Sequence, residues 1–325
     1  MATTFEGKDK RRSLCRLPSR CGRPHCPLLD WRVRRLIINA DDFGFTRGVN
    51  RAIVKAHTSG VVTSSTLMAN GSAFEHAAQM AKTVPYLSVG CHVVLLDGEP
   101  VLDTQNIRTL VSHVSGSARF RDGLKSFAAL ALSGRLDRDE IEAEASAQIR
   151  KVQSAGISVS HVDTHKHTHL FPAVLRPLLR AAAACGVRAV RNPFGSRRPL
   201  RSHELFARPG LWTRYAEVRI LRGFASKFRT AVDREGFVTP DGTLGIVVTG
   251  ALDERLFRAL AENIPEGTWE FVCHPGYNDD DLRTARTRLR ESRETELAVL
   301  TRPEARQLLS REGVKLISYQ DLKPR

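Results

Sequence analysis

Residues 36–44 read Leu-Ile-Ile-Asn-Ala-Asp-Asp-Phe-Gly, an aliphatic run that ends in two adjacent carboxylates. A run of this length and composition predicts a buried strand of a parallel sheet. Enzymes built on parallel sheets place their catalytic groups where the strands end, so Asp41 and Asp42 mark a candidate active site. Gly44 allows the chain to turn close to a ligand at this point.

Short strands alternate with helical patterns from Arg34 onward, which predicts an α/β fold. Helices are expected from Arg47 to Gly60 and from Asp137, a predicted N-cap, to Gly156. Further strands are expected at Val62–Met68, Leu87–Val93, Ile157–Val162, Arg188–Arg191, Leu244–Thr249, Trp269–Cys273 and Val314–Ser318. Seven or so strands favour an irregular (β/α) TIM-like barrel, although an open doubly wound sheet would leave a similar pattern.

The first 33 residues differ in composition from the remainder of the chain. They are rich in Arg and Pro and lack a long apolar run, which predicts a basic, disordered N-terminal extension at 1–33. Residues 34–325 are expected to form one barrel domain, with a segment inserted at about 192–241, where the alternation breaks. Apolar stretches such as Val89–Leu96 fall short of the roughly 20 residues that span a bilayer, so we expect a soluble, cytoplasmic protein.

The chain carries a formal net charge of +15, which raises the question of a polyanionic partner. Aromatic residues make up only 6% of the chain, and no nucleic-acid-binding motif is present. Neither GxGxxG after a strand nor GxxxxGK[ST] occurs, which argues against dinucleotide and P-loop sites. We therefore expect no nucleic-acid partner. A basic adaptor with structural histidines is the non-enzymatic alternative, and it predicts no bound metal.

Histidines follow three of the predicted strands. His165, His167 and His169 occupy alternate positions after one strand, where an extended backbone would place them on one face. His92 ends a second strand, and His274 follows a third. Imidazole is a common ligand of zinc-like metals, so the run of three is unlikely to be incidental in a sequence of this kind.

The carboxylate pair and these histidines all follow strand ends, which places them at one edge of the sheet. One aspartate and two histidines with open coordination positions would form a catalytic metal site, and the second aspartate would be free to accept a proton. A phosphoesterase on the same barrel remains an alternative. So does a glycosidase, in which Asp41 and Asp42 would serve as the two carboxylates.

Several motifs resemble the YdjC family of carbohydrate deacetylases, and especially its branch associated with hopanoid biosynthesis, HpnK. The resemblance runs from about Arg34 to Leu322. It is carried by NADDFG at 39–44, GVVTSSTLMANG at 60–71, VGCHVVL at 89–95, HVDTHKHTHLFP at 161–172 and VCHPGY at 272–277. The resemblance implies a deacetylase-type barrel and a hydrolase that acts on a linear amide bond.

The same resemblance implies roles for individual residues. Asp42, His92 and His165 would bind one divalent metal ion, Mg²⁺ or Zn²⁺, and Asp41 would be the general base. His274 matches the position from which related polysaccharide deacetylases supply a general acid.

Four further positions follow from the resemblance. Lys166 stands in the middle of the family's usual histidine triplet, which argues against a ligand at that position. His167 and His169 are then candidates to support the ligands or face substrate. Arg191 resembles the arginine that orients the base in polysaccharide deacetylases.

The implied substrate is an N-acetylglucosaminyl hopanoid lipid, and soluble chitooligosaccharides are the alternative. Residues 211–229 read as an amphipathic helix with basic residues between apolar ones. Such a helix could contact an anionic membrane, which would place the protein peripherally on the inner membrane face. A helix packed on the barrel with a solvated charged face would give the same pattern. A homodimer is the candidate assembly.

Overall fold

The computed structural model describes residues 33–114, 117–196 and 208–323, together with residues 1, 2, 200 and 204. The predicted extension at 1–33 therefore lies almost entirely outside the described residues. The described strands are β1 Arg34–Phe43, β2 Ser64–Leu67, β3 Ser88–Val93, β4 Val111–Val114, β5 Ser117–Phe120, β6 Val162–Thr164, β7 Gly242–Leu244, β8 Gly267–Cys273 and β9 Val314–Ile317. The described helices are α1 Arg47–Thr58, α2 Phe74–Thr83, α3 Leu124–Leu132, α4 Arg138–Ser154, α5 Pro172–Ala184, α6 Pro209–Leu221, α7 Ala225–Arg234, α8 Glu254–Glu262, α9 Asp280–Thr284, α10 Glu291–Thr301 and α11 Pro303–Arg311.

The main sheet is parallel and has β1 at its centre. Its strand order is β6-β3-β2-β1-β8-β7, and β9 pairs with the first half of β1. The last eight residues of β1 are buried, because helices cover one face of the sheet and the packed interior lies on the other. The hairpin β4–β5 forms a separate two-stranded antiparallel sheet.

Single bridges link the two edges of this sheet. Val162 in β6 bridges Val190, Ala189 bridges Val238, and the backbone N–H of Thr243 in β7 donates to the carbonyl of Phe194 at 3.1 Å. The predicted irregular α/β barrel of about seven strands is thus confirmed. The strand predicted at Arg188–Arg191 is reduced to these bridges, since Pro193 follows closely and has no N–H to extend a ladder.

Two other predicted strands are shorter than expected. The predicted strand Leu244–Thr249 stops at Leu244, because Gly245 adopts a left-handed φ of +94° and residues 246–248 form a 3₁₀ turn. The predicted strand Ile157–Val162 is regular only from Val162, although the carbonyl of His161 accepts from the backbone N–H of Cys91 at 2.9 Å. Apolar β-branched composition alone did not locate these ends.

Helix capping agrees with the sequence patterns. The side chain of Thr46 caps α1 by accepting from the backbone N–H of Val49 at 3.2 Å. Asp137 caps α4, as predicted, by accepting from the backbone N–H of Asp139 at 2.8 Å. In each helix the cap satisfies an N–H that has no partner within the helix.

Residues 211–229 do not form the single helix that was predicted. A 3₁₀ turn at Arg222–Phe224, which contains Gly223, separates α6 from α7. The apolar residues of the pattern, Tyr215, Val218, Leu221, Ala225 and Phe228, pack against the barrel core. The apolar face is therefore used in folding. Among the described residues, no helix has the length and apolar content to cross a bilayer.

Candidate metal centre

The carboxylate pair lies in a sharp turn at the end of β1. Asp42 has a left-handed φ of +68°, and Gly44 follows at +91°. The side-chain oxygen of Asn50 accepts from the backbone N–H of Gly44 at 2.7 Å and holds the turn. Asp41 and Asp42 are 2% and 4% exposed. A positive φ in a residue other than glycine is strained, and such strain is concentrated at functional sites.

Asp42, His92 and His165 converge, although 50 and 73 residues separate consecutive members in the sequence. Oδ1 of Asp42 lies 3.6 Å from Nε2 of His92 and 3.6 Å from Nδ1 of His165. The two ring nitrogens lie 3.3 Å apart. Asp42 and His92 lie at the ends of β1 and β3, and His165 directly follows β6. The parallel sheet therefore brings the three side chains to one edge.

The spacing of these three atoms fits one cation. Ligand atoms about 2.0–2.1 Å from a tetrahedral zinc ion lie roughly 3.3–3.4 Å from one another. Neighbouring ligands of an octahedral magnesium ion lie roughly 2.8–3.0 Å apart. The observed separations of 3.3 and 3.6 Å are closer to the tetrahedral value. Three atoms that can each offer a lone pair to one point could hold a cation between them.

Asp163 orients the ring of His92. Its Oδ1 accepts from Nδ1 of His92 at 2.7 Å, which leaves Nε2 directed at Asp42 and His165. Carboxylate–histidine pairs of this kind fix the tautomer of metal-binding imidazoles. Burial lowers the pKa of His92, but the negative charges of Asp163, Asp41 and Asp42 outweigh it and raise the pKa to about 9. The surroundings therefore favour positive charge at this point.

Arg191 lies next to Asp41 and Asp163 and is fully buried. Its guanidinium contacts Asp41 at 2.6 and 2.8 Å, Asp163 at 2.5 Å and Glu270 at 2.8 Å. Burial raises the pKa of Asp41, but the ion pair with Arg191 outweighs it and holds the pKa well below its usual range. Glu270 also accepts from the hydroxyl of Tyr319 at 2.7 Å. Asp41 is thus ionised and fixed in orientation.

The histidine run is a tight turn rather than the expected extended segment. Lys166 and His167 both have a left-handed φ of +54°, so the backbone is kinked within the turn formed by residues 165–170. Only His165 joins the centre. His169 is buried and bonds to Thr164 at 2.7 Å and to the carbonyl of Arg191 at 3.2 Å, so it supports the backbone around the centre.

The neighbours of His165 in this turn have different surroundings. His167 is partly buried, and burial lowers its pKa well below the usual value. Its Nδ1 has no hydrogen-bond partner among the described residues. Lys166 pairs with Asp97 at 2.5 Å, and Asp97 also accepts from the backbone N–H of Gly123 at 2.8 Å. This pair links the turn to the loop after β3.

His274 follows β8 and is partly buried. A positive charge on its ring would lower the pKa of both Asp41 and Asp42, so the ring lies near the carboxylate pair. Its backbone N–H donates to Glu296 at 2.6 Å, and its Nδ1 has no hydrogen-bond partner among the described residues. Besides His92 and His165, the centre therefore has a third imidazole nearby, whose Nδ1 is buried.

Sequence reasoning missed three charged residues at this centre. Asp163 lies within the HVDTHKHTHLFP motif, two residues before His165, and its position after a strand is a signal that could have been used. Glu270 lies inside an apolar strand, where a buried carboxylate requires a partner. Arg293, whose Nη2 donates to Asp42 at 2.5 Å, is one of 50 basic residues and has no local signal.

Comparison with known proteins gives consistent matches along most of the chain. The model of a family described as "YdjC-like protein" matches residues 35–311. A carbohydrate deacetylase of Geobacillus stearothermophilus is 34% identical, with 89% of this chain and 98% of that protein covered. A chitooligosaccharide deacetylase of Salmonella typhimurium is 32% identical, with 89% of this chain and 99% of that protein covered. A crystal structure from Enterococcus faecalis V583, described as a candidate cellobiose-phosphate cleavage protein, has a TM-score of 0.71 at 25% identity and covers 89% of this chain and 98% of that one.

Proposed function

This chain belongs to the YdjC-like family, and we propose that it is a metal-dependent hydrolase that removes the acetyl group from an N-acetylated sugar. The observation that carries the proposal is the convergence of Asp42, His92 and His165 within 3.6 Å of one another. Relatives that match almost end to end are named carbohydrate and chitooligosaccharide deacetylases. The family and the geometry thus support the same chemistry.

The proposed cofactor is one zinc-like divalent ion held by Asp42, His92 and His165. Two imidazole nitrogens and one carboxylate oxygen suit zinc better than magnesium, which prefers oxygen ligands. The tetrahedral spacing supports the same choice. When bound, such an ion would polarise the acetyl carbonyl and make a water molecule more acidic.

Asp41 is the proposed general base. Arg191 holds both of its oxygens, so the carboxylate stays ionised and keeps one orientation beside the ligand Asp42. A base with a pKa far below neutral accepts a proton well only from a strongly acidified donor, which is the role of the cation here. Asp163 contacts both His92 and Arg191, and Arg191 also contacts Asp41. The shared arginine therefore aligns the proposed base with the proposed metal ligand His92.

His274 is the proposed general acid. Hydrolysis of an amide requires a proton on the departing nitrogen, because an amide anion is a poor leaving group. The ring of His274 lies near the carboxylate pair and is the proposed proton donor, and the hydrogen bond from its backbone N–H to Glu296 holds the residue in place. His167, in the turn beside His165, is partly buried and is the proposed contact for a sugar hydroxyl.

For the substrate, we propose the N-acetylglucosaminyl group of a hopanoid lipid, the substrate of the branch that the motifs resemble. On α6, Ile220 is 77% exposed and Trp212 is 39% exposed, and these side chains would give the insertion a peripheral contact with the inner membrane face. Soluble chitooligosaccharides are the alternative, which the name of the Salmonella relative supports.

Acetate release coupled to metal analysis tests this proposal. The purified protein would be incubated with an N-acetylglucosaminyl lipid and, separately, with chitooligosaccharides. We expect one metal ion per chain and acetate release, both lost in Asp42→Ala. Asp139→Ala is the control, since the Asp139 side chain is 95% exposed and distant in sequence from the centre. Release of free sugar or phosphate instead of acetate would refute the deacetylase function.

A further inference from the structure

The two oxygens of Asp42 have different partners. Oδ1 lies 3.6 Å from the ligand nitrogens of both His92 and His165. Oδ2 accepts a hydrogen bond from Nη2 of Arg293 at 2.5 Å. One oxygen therefore faces the proposed cation and the other faces a fixed positive charge.

Arg293 is held in place from several sides. It lies on α10, is 1% exposed, and its Nε donates to the carbonyl of Leu289 at 3.1 Å. Its guanidinium carbon lies 5.6 Å from the centre of the ring of Phe45, a residue that follows the turn carrying Asp42. Its own carbonyl accepts from the backbone N–H of Gly276, two residues after His274. A buried arginine with these contacts has little freedom to move away from Asp42.

A carboxylate with two free oxygens can bind a cation through one or both of them. Ligation through both would occupy an additional coordination position and bring more negative charge to the ion. A catalytic site needs an open position for the substrate carbonyl and an ion that still attracts electrons. The choice between one and two oxygens therefore affects both properties.

We propose that Arg293 is a positioning residue that occupies Oδ2 of Asp42 and limits this ligand to one oxygen. The proposal rests on the metal site of the proposed function but not on the identity of the acetylated substrate. Arg293 also places a positive charge beside the ligand set and so reduces the affinity of the site for the cation. Its Nη1 is buried and has no hydrogen-bond partner among the described residues. The guanidinium therefore depends on the carboxylate of Asp42 to balance its charge.

The test uses Co²⁺ as a probe, because its visible absorption weakens as the number of ligands rises. Wild type, Arg293→Met and Arg293→Lys would be titrated with cobalt chloride in the full-length protein. In Arg293→Met we expect weaker absorption per bound ion and about tenfold tighter Co²⁺ binding, since the second oxygen is released and a positive charge is lost. Arg293→Lys keeps the charge and should retain a spectrum close to wild type.

Arg290→Met is the matched control. Arg290 precedes the same helix and donates to the carbonyl of Ala285, so its removal should leave the cobalt spectrum and affinity unchanged. If Arg293→Met does not fold, Arg293→Leu carries the same expectation, because an apolar side chain has no N–H to donate to Oδ2. Tighter binding with a weakened spectrum supports the proposal.

An unchanged spectrum, or weaker Co²⁺ binding in Arg293→Met, would overturn the proposal and leave Arg293 with a structural role. Acetate release is measured separately on the same samples. If wild type binds Co²⁺ but releases no acetate from any N-acetylated sugar, the proposed function fails while the spectral comparison still decides the role of Arg293.

Discussion

Replacement of Arg191 by methionine is expected to destabilise the protein strongly. Arg191 is fully buried and is the cation that contacts the three buried carboxylates of Asp41, Asp163 and Glu270 at 2.5–2.8 Å. Removal of one partner from a buried ion pair costs about 3–5 kcal/mol, because the remaining charge is left without compensation. At about 2–4 °C per kcal/mol for a domain of this size, the melting temperature should fall by roughly 6–20 °C.

The pH dependence of this loss follows from the pKa of Asp41. In wild type, burial raises this pKa but Arg191 lowers it further, so the ion pair stabilises the fold at neutral pH and is lost as the pH falls into the acid range. Without Arg191 the effect of burial is opposed only by the weaker influence of His92 and His274, so we expect the pKa of Asp41 to rise above its unfolded value. The variant then loses stability as the pH rises through that value. The deficit relative to wild type should therefore be larger at pH 8 than at pH 5.5.

Thermal unfolding followed by circular dichroism at both pH values measures this effect. Arg188→Met is the control, because Arg188 is an exposed arginine three residues earlier that bonds to the carbonyl of Glu235 and stacks on Phe237. We expect the control to change stability by less than about 1 kcal/mol. A loss below about 1 kcal/mol in Arg191→Met at both pH values would refute the view that Arg191 compensates the buried carboxylates.

Three further outcomes are expected around the centre. Asp163→Asn removes the negative charge that orients His92 and should weaken Zn²⁺ affinity by about 10–100-fold in a chelator competition; unchanged affinity would contradict this role. Asp41→Asn should retain bound metal by elemental analysis but lose most acetate release, and full activity would exclude Asp41 as the base. Reversing the charge of Lys166 or of Asp97 alone should lower the metal affinity by about fivefold or less, because the pair is partly exposed. Exchange of both charges in a double variant should restore most of the lost affinity. No recovery would show that the pair does not hold the turn.

The positions of the candidate residues after strands predicted that they share one edge of the sheet, and the family resemblance selected Asp42, His92 and His165 among them as the proposed metal ligands. Parallel strands end at the same edge of a sheet, so an aspartate at the end of β1, a histidine near the end of β3 and a histidine after β6 are brought to that edge by the topology. The reasoning for the histidine run was nevertheless wrong in its local geometry. Lys166 and His167 adopt left-handed backbone angles, which depend on tertiary contacts such as the pair with Asp97.

The charged residues that support the site could not be predicted in the same way. Arg293 reaches Asp42 across 251 residues of sequence, and only the packing of α10 against the barrel brings the two together. Glu270 is flanked by Trp269 and Phe271 within β8, and the pairing of this strand with β1 places it where its carboxylate meets Arg191. Such partners are set by helix packing and strand register, and neither is encoded in a short motif.

The proposed function requires that Asp42, His92 and His165 bind one cation together. Anomalous scattering recorded at the zinc absorption edge, from crystals grown with Zn²⁺, shows whether a cation lies between them. We expect one strong peak about 2.0–2.2 Å from Oδ1 of Asp42, Nε2 of His92 and Nδ1 of His165. A map without a peak between these three atoms, or with the zinc bound by other residues, would contradict it.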